Sequence, residues 1–365
     1  MNSEKQKQLI SYIAPSAPAT RRPATGNEAF LRPEIGFTPK WYHDALGIDF
    51  GEQWHTDVVY RRKSLISMGQ ELMRRFGNRN IGWIQHPDEP PDLLTGTFGA
   101  CTIAAIYGLP LIYAADNWPN CEHQYLQSEQ IDRLTPPDLN INPFFCKFMD
   151  EVEWISHQNG RIEGYINWQG VLNNAYRLRG EELFIDMTLE PNRARHLFEC
   201  VTMTMIEAAE RLYECQRQTE VHIQHFTVSN CLVNMVSPDQ YQDLLLPFDQ
   251  RIASTAGLIG IHNCAWNASA YIQHYATLPG VGYIDMGIES NLVNAKESFP
   301  DARRAIMYPP VELANKPLSE IRRDLELITH DYAPCDMVFA DIESGTPDDR
   351  VIEVIELCEE MSEAL

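Results

Sequence analysis

His262-Asn263-Cys264 sets an imidazole and a thiol two residues apart at the end of a short apolar run, Leu258 to Ile261. In extended chain, residues i and i+2 project from the same face, so both groups can reach one ion. Thiolate with imidazole selects zinc over magnesium or calcium, and a catalytic zinc takes three protein ligands while leaving a fourth position open. The competing reading is an ordinary buried thiol beside a hydrogen-bonded imidazole. What separates the two is where the pair sits in the fold.

The elements that must position the pair come from the second half of the chain. Short apolar or alternating runs at Ile162 to Ile166, Val221 to Phe226, Leu258 to Ile261, Val281 to Ile284, Arg304 to Tyr308 and Met337 to Ile342 alternate with amphipathic stretches of helical period. Six strand-helix units in series predict a parallel sheet, and 365 residues favour its closure into a (β/α)8 TIM-type barrel with an N-terminal extension and additional helices. Ser237-Pro238-Asp239-Gln240 is a capping box with proline at the first helical position. It is followed by Tyr241, Leu244, Leu245, Phe248 and Ile252 on one face. Thr346-Pro347-Asp348-Asp349 repeats the start signal before Val351, Ile352, Ile355 and Cys358. Residues 1–27 read as an extended arm, proline-spaced by Pro15, Pro18 and Pro23, before a single barrel domain over 28–365. From Thr38 to Phe76 the pattern is helical, and from Trp83 to about Leu134 it is irregular.

In such barrels functional groups lie at the carboxyl ends of the strands. His262 and Cys264 fall there, as do Asn167, Trp168 and Gln169, then Thr227, Ser229 and Asn230, then Asp285, Tyr308 and Glu343. The bulk composition narrows the partners. A formal charge of −22 repels nucleic acid and anionic membranes, and no basic stripe offsets it. No run approaches the roughly 20 apolar residues needed to cross a bilayer. The polar start, Met1 to Lys7, lacks a secretory layout, so the expected location is the cytoplasm, with nine reduced cysteines.

Over roughly Thr95 to the C-terminus the chain resembles the uroporphyrinogen decarboxylase superfamily, within it the zinc-dependent methyltransferases that work with corrinoid proteins. The resemblance rests on Ile166-Asn167-Trp168-Gln169-Gly170, on Met235 to Tyr241 leading to Leu246-Pro247-Phe248, on His262-Asn263-Cys264, and on Glu343-Ser344-Gly345-Thr346-Pro347. It implies that His262 and Cys264 are two of three zinc ligands, the family's third being a distant cysteine. Glu343 occupies approximately the place of that cysteine and is the expected third ligand. Asp285 is the next candidate, as ligand or as a group hydrogen-bonded to one. Cys335 precedes its strand, and eight extended residues to Glu343 span about 25 Å, which sets it at the wrong end. The founding decarboxylase activity is not expected: those enzymes resemble one another in an N-terminal Arg-Gln-Ala-Gly-Arg segment, and here Arg21-Arg22-Pro23 is followed by Ala24-Thr25-Gly26-Asn27.

The resemblance implies zinc as cofactor and cobalamin carried by a partner, because no Asp-x-His-x-x-Gly corrinoid-binding pattern occurs in this chain. With a carboxylate among its ligands, zinc would suit oxygen as a Lewis acid, which points to a small methyl-ether substrate, aryl by preference, whose methyl passes to cob(I)alamin. A thiolate-rich set would instead favour an activated substrate sulfur and a methylcorrinoid:thiol transferase. A metal-free barrel acting as a binding subunit is the third reading. Trp83, Trp168, Trp266 and Tyr308 are candidate walls for a flat substrate, Asn167 a substrate contact, and His225 a candidate to hydrogen-bond a phenolic oxygen or protonate the leaving group, with Asp285 the other catalytic candidate. His222, His274 and His330 receive no role. The expected partners are a corrinoid protein and the small substrate, with a homodimer left open.

Overall fold

The computed structural model describes residues 10–13, 30–77 and 92–363. Nine strands are described among these residues: β1 (Ile10–Ile13), β2 (Leu31–Phe37), β3 (Leu111–Ala114), β4 (Asn117–Cys121), β5 (Phe226–Ser229), β6 (Ile259–His262), β7 (Val281–Met286), β8 (Arg303–Met307) and β9 (Cys335–Ile342). Seven form one sheet in the order β1-β2-β9-β8-β7-β6-β5, every pairing parallel, while β3 and β4 form a separate antiparallel hairpin. With helices around the sheet, this is the α/β TIM-type barrel expected, its ladder not closed by hydrogen bonds among the described residues. None of the described helices is long and apolar enough to cross a membrane. Trp83 and most of the 1–27 arm lie outside the described residues; Ile10–Ile13 of that arm pairs with β2 from Ile10↔Glu34 to Ile13↔Phe37.

Strand content matches the apolar runs of the second half, with two corrections. Ile162 to Ile166 is extended but carries no ladder. Side chains take up its backbone instead: Gln216 Nε2 donates to the carbonyls of Ile162 and Gly164, and Ile162 N donates to Thr219 Oγ1. Gly164 at φ +107° adopts a conformation outside any strand. The segment still runs beside β5, since the Tyr165 hydroxyl meets Thr227 N at 3.0 Å. The second correction concerns the run Val221 to Phe226, whose ladder starts only at Phe226 and continues to Ser229. That moves the strand towards the site by about four residues and leaves His225 at its entry.

The helix starts were legible. Ser237 caps with its side chain accepting from Gln240 N at 3.1 Å, and Gln240 answers on Ser237 N at 3.1 Å. Pro247, which has no N–H to give the preceding turn, follows a π-helical turn, Tyr241–Leu245, before the helix Leu246–Ala256 resumes. Tyr241, Leu244, Leu245 and Ile252 are buried as the periodicity requires. The widened turn also brings Tyr241 Oη to Asp249 Oδ2 at 2.7 Å, and the same oxygen accepts from Asn230 Nδ2 at 3.1 Å. A buried carboxylate thus anchors the loop that follows β5.

Candidate metal centre

Three strands end side by side at the site. Ser229 of β5 is in register with His262 of β6, and Asn230 N prolongs the ladder to the His262 carbonyl at 2.7 Å. The residue after Asn230 is Cys231. Its Sγ lies 3.0 Å from Cys264 Sγ, which in turn lies 3.1 Å from His262 Nε2. Among the described residues these three form the group of histidine, cysteine and acidic side chains whose ligand atoms all fall within 4.8 Å of one another. Cys264 reaches back because its φ of +55° is left-handed, an uncommon state for a residue with a side chain, found where surroundings over-determine the backbone.

β7 supplies the group that orients the imidazole. Asp285 Oδ2 accepts from His262 Nδ1 and from the Tyr283 hydroxyl, each at 2.7 Å, and its Oδ1 accepts from Asn263 N at 2.7 Å. Asn263 Nδ2 donates to the Asp285 carbonyl at 2.7 Å, and Asn263 Oδ1 accepts from the Tyr275 hydroxyl at 2.8 Å. With Nδ1 holding its proton against the carboxylate, Nε2 is the nitrogen that faces the sulfurs. This is the arrangement by which a carboxylate fixes the tautomer of a metal-binding histidine. Burial works against charge on His262, yet Asp285 and Cys231 together raise it to about 10. The sulfur–sulfur hydrogen bond holds the Cys231 thiol well below its usual range and pushes Cys264 well above it.

The donor set fits zinc. Two thiolates and an imidazole make a catalytic-type ligand set with one position left over, and at a Zn–S length of about 2.3 Å tetrahedral neighbours stand about 3.7 Å apart. The observed sulfur separation of 3.0 Å needs only a sub-ångström opening to reach that.

The expected site residues divide into those the fold gathers and those it does not. His262 and Cys264 are together, and Asp285 stands behind the imidazole. Glu343 is an exposed residue just past β9, accepting from Thr38 Oγ1 at 3.4 Å, and is not in the group of three. Cys335 opens β9 at the opposite end, its N bonded to the Phe30 carbonyl, and burial pushes its thiol up. His225 sits at the amino end of β5, stacked 5.0 Å from Tyr165, with its carbonyl accepting from the Tyr165 and Tyr213 hydroxyls; the shift of the strand takes it away from the reacting end. Asn167 Oδ1 accepts from Gln169 N at 3.1 Å and Ser229 Oγ at 3.4 Å, which ties the loop after 166 to β5. Trp168 is fully buried, Tyr308 donates to Asp324 at 2.6 Å, and Trp266 packs edge-on against Tyr271 at 5.5 Å.

Two residues went unread in the sequence. Cys231 is one. The other is Asp341, next to last in β9. Ile35 pairs with Phe339 but Phe37 pairs with Ile342, so β9 carries one extra residue there. That bulge puts Asp341 at φ +54° and leaves it exposed in a strand otherwise buried. Bulges re-aim side chains next to active sites. Desolvation raises the Asp341 carboxyl above its usual range although the residue is exposed, and the charge of His262 opposes that rise. Cys264 in turn feels the Asp341 charge.

No family model matches the chain, and no curated protein matches it. Solved structures do: 29 chains match, among them a methyltransferase from Methanosarcina mazei at 13% identity and TM-score 0.60, covering 89% of this chain and 91% of that one. At that identity the likeness establishes the shared barrel fold.

Proposed function

We propose that the chain is a zinc-dependent methyltransferase that passes a methyl group between a small substrate and the cobalt of a corrinoid held by a separate protein, with a thiol as the favoured acceptor. The observation that carries this is Cys231 beside His262 and Cys264 at the carboxyl ends of neighbouring strands. A solved methyltransferase of the same fold supports it. Zinc bound there would lower the pKa of a substrate thiol and present it as a thiolate nucleophile. Two cysteines in the set supply charge that favours sulfur as the fourth partner, whereas the carboxylate expected at Glu343 would have favoured oxygen. Asp285 holds the His262 ring by Nδ1 so that Nε2 faces the two sulfurs, and Asp249 with Asn230 holds the Cys231 loop. Asp341, whose raised carboxyl feels the charge of His262, is the group we assign to receive the proton that a thiol gives up.

Methyl-ether cleavage is a second reading, and Asp341 is also what favours it: the same carboxyl could protonate a departing oxygen. Purified protein is expected to hold about one zinc per chain, and Cys231→Ala to hold almost none. With methylcob(III)alamin and small thiols, the cobalt spectrum should change under anaerobic conditions; change only with cob(I)alamin and aryl methyl ethers would reverse the order of the two readings. Asp341→Asn should keep its zinc and lose turnover by about 100-fold or more, the usual worth of a positioned proton carrier. Less than about 0.2 zinc per chain, with function unchanged in His262→Ala, would remove the metal reading and leave a binding barrel.

A further inference from the structure

A second pair of thiols approaches closely away from the metal cluster. Cys101 lies just before the short helix Thr102–Ile106, Cys121 ends β4, and their Sγ atoms are 4.0 Å apart. The two thiols are not equivalent. Cys101 Sγ donates to the Pro119 carbonyl at 3.3 Å, whereas Cys121 Sγ accepts from Arg177 Nη1 at 3.4 Å. The same guanidinium nitrogen donates to Asn120 Oδ1 at 3.1 Å, and among the described residues no carboxylate pairs with Arg177. An arginine half-buried against a thiol, with no acid to neutralise it, makes the thiolate its counter-ion.

We propose that Cys101 and Cys121 are a redox-active dithiol that closes to an intrachain disulfide when a hydroperoxide reaches it, with Cys121 attacking and Cys101 resolving. The Cys121 thiolate attacks the outer peroxide oxygen; the O–O bond breaks, an S–OH forms on Cys121, and the departing alkoxide takes a proton to become an alcohol. Cys101 then gives up its proton as its sulfur attacks Cys121 sulfur, the S–S bond forms, and hydroxide leaves to become water. Two thiols are oxidised and one peroxide is reduced.

The surroundings assign the roles. The sulfur–sulfur contact with Cys101 lowers the Cys121 thiol below its usual range and the Arg177 charge acts in the same direction, while Cys101 is pushed up by that contact and by burial. Closing from 4.0 Å to a disulfide length of about 2.05 Å requires the hairpin to move. β3 and β4 can supply this movement, because the hairpin is a two-stranded satellite of the main sheet with seven of its nine strand residues exposed or partly so. Asn120 is exposed and Arg177 half-buried, so the approach to Cys121 lies past them. Arg177 also feels the charge of Cys231.

The test uses reduced, metal-loaded full chain exposed to one equivalent of hydrogen peroxide, followed by peptide mapping without reductant. The expected product is one species, two hydrogens lighter, with the peptides of Cys101 and Cys121 linked. Cys101→Ser should stop at a sulfenic acid on Cys121 that dimedone captures. The pH midpoint of the oxidation rate should lie below the free-thiol value of about 8.5 and move up towards it in Arg177→Met, with Arg177→Lys restoring it. Cys231→Ala/Cys264→Ala protein should still form the link. A link found only between Cys231 and Cys264 would overturn the proposal, as would a midpoint at the free-thiol value that Arg177→Met leaves in place.

Discussion

At the amino end of the sheet, Arg32, Glu34, Arg303 and Asp336 project from β2, β8 and β9 into one buried box, where two cations meet two anions. Arg303 Nε and Arg32 Nε contact Asp336 at 2.6 and 2.8 Å, and Arg303 Nη2 contacts Glu34 at 2.7 Å. At the carboxyl end Cys231, Cys264 and His262 crowd within the same kind of distance, but there the carboxylate that hydrogen-bonds the group among the described residues, that of Asp285, is already committed to His262, Tyr283 and Asn263. The box balances its own charge; the sulfur cluster becomes neutral as thiolates only if a cation joins it. Opposite ends of one sheet therefore carry polar groups for different reasons, self-paired charge at one and, on the function proposed above, chemistry at the other, in keeping with how barrels divide their two faces.

The largest effect should come from breaking the box. Arg303→Met takes from buried Glu34 its 2.7 Å partner and from buried Asp336 its 2.6 Å partner, so unfolding should become easier by about 3–5 kcal/mol. Urea titration reads that loss. Zinc per folded chain should stay as in the parent; a parallel fall in zinc would mean that the two ends are not independent.

Next in size is the group behind the imidazole. Asp285→Asn keeps the shape but removes the charge that fixes the His262 tautomer, and outer partners of this kind are worth about 10–100-fold in metal affinity. Competition with a chelator measures it. An unchanged affinity would reduce Asp285 to a structural cap and weaken the contrast between the ends.

That contrast also explains what could be read from the sequence. β5 to β9 were visible because their apolar runs alternate with capped amphipathic helices, and His262 with Cys264 was visible because one strand offers both ligands. β2 was missed: Leu31–Phe37 contains Arg32, Pro33, Glu34 and Gly36, and its charges are buried only because the box pairs them. Cys231 was missed for a different reason. It stands 31 residues before His262, and nothing local marks it; the register Ser229↔His262 brings it across. The signal available was its place directly after Asn230, a residue already expected at a strand end. Glu343 was favoured because it occupies approximately the place of the distal cysteine in the family the chain resembles, but among the described residues the group gathered with His262 and Cys264 is Cys231, across the β5–β6 register.

The smallest effect should be that of Glu343→Gln. Its carboxylate is exposed and accepts from the Thr38 hydroxyl, so removing its charge should change metal affinity by about twofold or less, the scale of an ordinary surface substitution. Chelator competition on this variant, run beside Cys231→Ala, separates the two candidates for the third ligand. If Glu343→Gln sheds zinc while Cys231→Ala keeps it, the carboxylate belongs to the metal after all, the ligand set hardens towards oxygen, and ether cleavage replaces the thiol as the leading substrate class.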